Sequence, residues 1–274
     1  MTIRIPGALL ACALAFSSLV STAASAATVG YYGTCYGENP AVAITASGHT
    51  PVAVNSLTST SLSGLAALFV NSCNWPASPE LNAAISNGLV VIAHDRDYGS
   101  SGAPGNTLAR SGGSSGRDIN FAAGVSFLDG PGGVINDTSL DNGSASNHGY
   151  FYGTLPAGGQ VLAIADGNPS QIVTFTYPHG ADRIVYSTIP LGCYLTGGGC
   201  SSLQPVSTGM QTYAANIIAA YAGPSFTTCA AEGYTGGKLT MCRKVCESNL
   251  SGSTLTAMIK LYVAAYREQP ACAR

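Results

Sequence analysis

The chain has 274 residues, of which 46% are hydrophobic and 9% charged, with 11 Lys and Arg against 13 Asp and Glu and a net charge of −2. Charge is unevenly spread. Residues 28–228 hold four arginines, no lysine and ten acidic residues, a balance of −6, whereas 229–274 hold six basic and three acidic residues, a balance of +3. An acidic body of this kind excludes nucleic acid as the expected partner, because that partner demands a basic surface.

In chain order, the first segment is a leader. Arg4 precedes the short apolar run ALLACALAFSSLV, and Ala24-Ser25-Ala26 supplies small residues for cleavage. A basic start, a greasy run and an A-x-A site read as a secretory signal peptide over 1–26. The run is short for a bilayer span, and no later stretch is long and apolar enough for a transmembrane helix. The mature chain is therefore expected to be secreted or periplasmic, with cleavage near Ala26. Cys12 leaves with the leader, and Cys35, Cys73, Cys193, Cys200, Cys229, Cys242, Cys246 and Cys272 remain. An even set in an exported protein predicts disulfides. No C-x-x-C pair or His-Cys cluster suggests zinc.

TVGYY (28–32) predicts a strand, followed by the glycine-bearing loop GTCYGENP. AVAITASG reads as a short helix ending at Gly48, PVAVN (51–55) as a strand, SLSGL as a connector and ALFVNSC (67–73) as a strand. SPELNAAISNG (78–88) carries Ser-Pro-Glu and Gly end signals of a helix. LVVIAHD follows at once. Strands apolar on both faces and alternating with helices predict a mostly parallel sheet covered on both sides. From Arg96 to Pro156 the chain is rich in Gly, Ser, Asn and Asp. There GRDINFAAG is expected to form a short helix and GPGGVINDTSLDNGSASNHG an ordered loop. QVLAIAD (160–166), QIVTFTYP (171–178) and DRIVYSTIP (182–190) read as three strands, the last two a hairpin, and TGMQTYAANIIAAYAG (208–223) as a helix. A composition break near 225 separates a body, 27–224, from a cysteine-rich helical hairpin, 225–274. On the second tail helix Leu255, Met258, Ile259, Tyr262 and Tyr266 share a stripe. A hairpin this small needs its four cysteines as staples, with their connectivity open.

The stretches "IAHDRD", "LDNGSASNHG" and "RIVYSTIPL" are the most specific parts of a run over about 28–223 that resembles secreted bacterial proteins of the class I glutamine amidotransferase-like fold. The tail resembles a cysteine-bearing appendage of other exported bacterial proteins. The resemblance implies a flavodoxin-like α/β body. It also implies where a catalytic cysteine would stand, on the elbow after LVVIAHD, at His94 or Asp95. No Cys, Ser or Thr occurs there before Ser100, and STIPLG replaces the later His-x-Glu. Acyl transfer needs a nucleophile and a base within hydrogen-bond reach.

Candidate site residues follow. His94, Asp95 and Asp97 cluster at a strand end, where α/β sheets keep ligand crevices. His94 with Asp95 could serve as acid–base pair. Equally, Asp95 or Asp97 could pair with Arg96 or Arg117 and pin the loop. His148 could face the same crevice, and Asp137 and Asp141 could add metal ligands, although the loop lacks EF-hand spacing. Trp75 is a sugar-stacking or partner-contact candidate, or else a loop anchor. Cys73 could be a displaced nucleophile with His94 or His148 as base, or a disulfide partner of Cys35. Cys193 and Cys200, flanking YLTGGG, are expected to pair. His49 and His179, in turns, are expected to face solvent or cap. No cofactor is expected. The reading is an exported, non-catalytic protein binding a small ligand, glycan or envelope protein. The alternatives are a hydrolase of amide or glycan bonds using His94 and Asp95, and a docking module carried by the tail.

Overall fold

The computed structural model describes residues 26–33, 36–73, 75–94, 102–116, 118–143, 145–198, 207–222, 234, 236–246 and 252–270. Its strands are β1 (Thr28–Tyr32), β2 (Thr50–Ala53), β3 (Ala67–Val70), β4 (Val90–His94), β5 (Ala109–Gly116), β6 (Ile119–Phe121), β7 (Asp129–Gly130), β8 (Gly133–Val134), β9 (Asn147–Tyr152), β10 (Gln160–Ala165), β11 (Asn168–His179) and β12 (Asp182–Ser187). The helices are α1 (Pro40–Ala46), α2 (Ser59–Leu62), α3 (Pro79–Ser86), α4 (Ser207–Tyr221), α5 (Gly236–Cys246) and α6 (Gly252–Tyr266).

One sheet runs β2-β1-β3-β4-β12-β11-β10-β6. The five strands from β2 to β12 are parallel, and β11, β10 and β6 extend them antiparallel. The parallel part has the 2-1-3-4-5 order of flavodoxin-like sheets, with β12 as the fifth strand. Mixed α/β architecture with parallel strands is thus what the apolar runs predict, and β11 and β12 form the expected hairpin.

Local signals set the helices. Asn39 accepts from the Ala41 N–H at 3.1 Å and Pro40 starts α1. Ser78 accepts from the Leu81 N–H at 3.2 Å and Pro79 starts α3. Such caps satisfy donors that a helix start leaves open. SLSGL falls partly in α2, a single turn closed by a reciprocal Thr58–Ser61 capping box.

Strand parity divides the core. Val90 and Ile92 pack with Phe69, Val185, Met210, Tyr213 and Ile217 on the side of α1 and α4. Val91 and Ala93 pack with Leu68, Leu81, Ile85, Ile184 and Tyr186 on the side of α3. Successive residues of a strand point to opposite faces, so a run apolar at every position feeds two cores.

The middle segment corrects one expectation. GRDINFAAG holds a strand, β6, rather than a short helix. One edge of β6 pairs with β10. On the other side, the Ile119 and Phe121 N–H groups donate to Asp141 Oδ1 and Asp137 Oδ1, at 2.9 and 2.8 Å. The three paired residues of β10 and the two carboxylates outweigh the weak helical preference of a segment this short. The loop from Gly130 to Gly149 holds turns, the β7–β8 hairpin and the start of β9. Asn216 of α4 grips that hairpin. Its Nδ2 donates to Phe127 O at 3.0 Å and Gly133 O at 2.8 Å, and its Oδ1 accepts from the Gly132 N–H at 2.8 Å.

In the tail, α5 and α6 pack through Tyr234, Cys242, Val245 and Tyr262. Lys238 pairs with Glu268 at 2.9 Å and lies 3.9 Å from the Tyr234 ring centroid. No helix among the described residues is long and apolar enough to cross a membrane. Cys73, Cys193, Cys242 and Cys246 are half-cystines. The Sγ atoms of Cys242 and Cys246 stand 3.9 Å apart, too far to be bonded to each other. Cys35, Cys200, Cys229 and Cys272 lie outside the described residues.

Candidate functional site

The carboxyl edge of the parallel strands is where a flavodoxin-like sheet takes ligands, above all at the switch between β1 and β3. The chain fills that point itself. Glu38, on the loop after β1, is 3% exposed. Its Oε2 accepts from the Tyr36 N–H at 2.8 Å, and its Oε1 accepts from Asn71 Nδ2 at the end of β3. The loop after β12 closes over it, since a Cβ on Gly192 would stand 3.2 Å from Glu38 Oε1 and the Asn39 N–H donates to Thr196 O. A carboxylate so enclosed is held by hydrogen bonds, without which its burial would be prohibitive.

The second polar cluster begins at His94, the last residue of β4. It shares the parity of Val90 and Ile92, and so its ring points toward α4 and away from the edge. It is 2% exposed. Nε2 shares a 3.2 Å hydrogen bond with the Tyr213 hydroxyl, which in turn meets Thr174 Oγ1 at 3.3 Å. Thr174 Oγ1 bonds Ser187 Oγ at 2.8 Å, and Ser187 Oγ accepts from the Ile189 N–H at 3.1 Å. Tyr213 meets the imidazole edge-on with ring centroids 5.6 Å apart, and Phe69 packs at 5.5 Å. Burial disfavours the imidazolium and pulls the His94 pKa down to about 3, so the ring is neutral at physiological pH. The same burial pushes the Tyr213 hydroxyl up. Nδ1 of His94 is buried with no hydrogen-bond partner.

Chemically this chain of imidazole and hydroxyls is a poor engine. A general base works best with a pKa near the operating pH, and it must reach substrate. His94 is too weak a base and too dry. Cys73, being a half-cystine, offers no thiolate.

The remaining sequence candidates separate. Asp95, Asp97, Arg96 and Arg117 lie outside the described residues. His148 stands on β9 and is 6% exposed, its N–H donating to Thr188 O at 2.9 Å. Trp75 is buried, edge-on to Tyr186 with centroids 5.8 Å apart, which is the anchoring position. Asp137 and Asp141 spend an oxygen each on the β6 N–H groups, and no cluster of three or more His, Cys, Asp or Glu suited to a metal occurs among the described residues. Burial, then the neighbouring Asp118 and Asp137 charges, push the Asp141 carboxyl up against the pull of its Ile119 hydrogen bond. His49 is a cap, its Nδ1 accepting from the Ala27 N–H.

Tyr213, Thr174, Ser187, Glu38 and Asn71 were not expected at the edge. Tyr213 lies in the apolar run of TGMQTYAANIIAAYAG, where it reads as core. Glu38 carries a signal, a single acid in a charge-poor loop directly after a strand, but its partner stands 33 residues on.

No family model matches the chain, and no curated protein does. Several solved structures share its general arrangement. A cytoplasmic protein from Salmonella typhimurium LT2 has 10% identity and a TM-score of 0.46, over 71% of this chain and 99% of that one. An exo-beta-1,4-mannosidase from Opitutaceae bacterium strain TAV5 has 10% identity and a TM-score of 0.44, over 72% of this chain and 36% of that one. A ThuA-like protein from Parabacteroides merdae ATCC 43184 has 13% identity and a TM-score of 0.40, over 72% of this chain and 90% of that one. Likeness at this level brings no activity, substrate or location to the chain.

Proposed function

We propose that this is an exported, non-catalytic binding or envelope accessory protein on an amidotransferase-like scaffold. The observation that carries the reading is His94. At the strand end where attack on a carbonyl would be staged, the side chain is an imidazole turned into the core, 2% exposed and bonded to a tyrosine hydroxyl. The Glu38–Asn71 pair at the strand switch supports the same conclusion, because the place for a small ligand is occupied by the chain's own carboxylate. Recognition then falls to the surface, and the partner is a glycan or an envelope protein rather than an engulfed small molecule. Tyr152 is exposed beside Tyr150, with ring centroids 6.3 Å apart, and offers aromatic contact of the kind such partners use.

Export is supported by the leader-like residues 1–26 and by the even set of eight cysteines after it, four of them half-cystines. Residues 27–224 then form the body, and 225–274 a hairpin stapled by Cys229, Cys242, Cys246 and Cys272. The separate core and basic balance of that hairpin favour a second reading, in which it docks the protein to an anionic envelope.

The test uses the exported chain without reductant. Thiol titration in denaturant is expected to find no free cysteine. Chromogenic amide, ester and glycoside substrates are expected to show no turnover above a blank. Turnover that disappears in His94→Phe or Asp95→Asn would establish the hydrolase instead. Envelope retention lost on removal of 225–274, with the body still folded, would assign docking to the tail.

A further inference from the structure

We infer that the fold contains a seat for the amino terminus created by cleavage between Ala26 and Ala27, and that His49 is the group that receives the new amine. This rests on the export reading above. The sequence places an A-x-A processing site at Ala24-Ser25-Ala26, and the residue that follows it, Ala27, is packed into the fold. Ala26 is exposed, whereas Ala27 is 4% exposed. Ala27 is held from both ends. Its carbonyl accepts from the Thr50 N–H at 2.8 Å, and its N–H donates to His49 Nδ1 at 3.2 Å. His49 is itself fixed, its N–H donating to Ile44 O at the end of α1 at 3.2 Å.

The chemistry of cleavage suits this site. Water adds across the Ala26–Ala27 peptide bond, Ala26 departs with the leader as a carboxylate, and the nitrogen stays on Ala27 as an amine. That nitrogen still has an N–H to donate, now from a group that carries positive charge once protonated. A hydrogen bond from a charged donor is stronger than one from an amide. Nδ1 accepts it only in the neutral ring, with the proton on Nε2. Burial favours that form and holds the His49 pKa below its usual value. Nε2 of His49 is buried without a partner, so the ring has no other hydrogen bond competing for its orientation.

Position makes the seat selective. Cleavage one residue earlier would leave an ordinary amide at His49 and a free amine out in solvent on Ala26. Cleavage one residue later would remove the carbonyl that anchors β2 at Thr50. A product beginning at Ala27 alone puts its amine on the imidazole and tucks its first side chain away, which also shields it from aminopeptidases.

The experiment expresses the full chain with its leader, recovers the exported product and measures its intact mass and amino-terminal peptide. An amine-acylating reagent is then applied near neutral pH, with labelling read at Ala27 separately from the lysines. The expected product begins at Ala27, and its α-amine labels at least about tenfold more slowly in the native chain than in urea, because only open molecules react. His49→Leu, which removes the acceptor, is expected to abolish that protection, while His49→Asn, which keeps an acceptor near the Nδ1 position, is expected to retain it. Should the leucine variant fail to fold, the native-to-urea contrast and the asparagine variant still decide. An exported product with another first residue, or an Ala27 amine equally reactive folded and unfolded, overturns the seat and leaves export standing. Protection that survives His49→Leu in a folded chain removes His49 from the role. A chain retained in the cell with its leader intact overturns export and the seat together.

Discussion

Replacing His94 with phenylalanine tests the dryness of the strand-end cluster directly. In the unfolded chain the imidazole titrates at its ordinary 6.5, whereas in the folded protein it does so at about 3. Between these values the unfolded state binds more protons, so stability rises with pH across the window and is flat above it. As pH falls, the stability that the neutral His94 provides is lost progressively from 6.5 down to about 3. At about 1.4 kcal/mol per pH unit, moving from about pH 7.5 to about pH 5 should cost the wild type roughly 2 kcal/mol through this one group. Phenylalanine keeps the ring beside Phe69 and Tyr213, removes the unpartnered Nδ1, and leaves the Tyr213 hydroxyl its Thr174 partner. Stability near neutral pH should therefore change by no more than about 1 kcal/mol, the net worth of one hydrogen bond. Urea unfolding of both proteins at the two pH values gives the comparison. His49, whose pKa is also lowered by burial, is present in both and cancels. Equal acid losses in wild type and variant would refute the reasoning, and would mean that His94 meets water and could act on a substrate.

Two further substitutions probe the features that sequence alone did not expose. Asn216→Ala removes two hydrogen bonds to the β7–β8 hairpin and one to Phe127 just before it, and strands the Gly132 N–H and two carbonyls. The expected loss is about 2–4 kcal/mol by urea unfolding, and a loss below about 1 kcal/mol would mean that water takes over the grip. Asp141→Asn has the opposite sign. The folded carboxyl is pushed up from 3.8, so the folded state binds more protons as pH rises past that value, and stability falls through the window. Asparagine keeps an oxygen for the Ile119 N–H and sheds the repulsion from Asp118 and Asp137. The variant should melt at least as high as wild type near neutral pH, with the difference shrinking toward acid; a lower neutral melting temperature would show the charge to be needed, as it would be at a cation site.

The parts of the fold that could be read ahead were those where one local pattern has one physical meaning. VVIA, apolar at every position from Val90 to Ala93, reads as a strand covered on both faces, and Ser78-Pro79-Glu80 can hardly be anything but a helix start. β6 was misread because three residues of alternation carry no period. Its strand state is decided by Asp137, Asp141 and β10, all distant in the sequence. His94 was placed at the right edge but on the wrong side of it. Its parity with Val90 and Ile92 was visible in the sequence, yet parity names a face only once α4 is known to cover it, and Tyr213 lies 119 residues away.

That parity also limits what the edge could become. If the proposed likeness to amidotransferases holds, the elbow falls at His94 or Asp95, and a nucleophile there must project past the sheet toward substrate. A cysteine substituted at position 94 would instead point at Tyr213 inside the core of α1 and α4, where burial raises a thiol pKa and substrate has no access. At Ala93 it would face Tyr186 and the α3 core. Neither substitution restores attack on a carbonyl without rotating the strand, and rotation would expel Val90 and Ile92 from one core and Val91 from the other. The edge is committed by its packing, and at positions 93 and 94 no single change of residue type is enough to convert it into a hydrolytic centre.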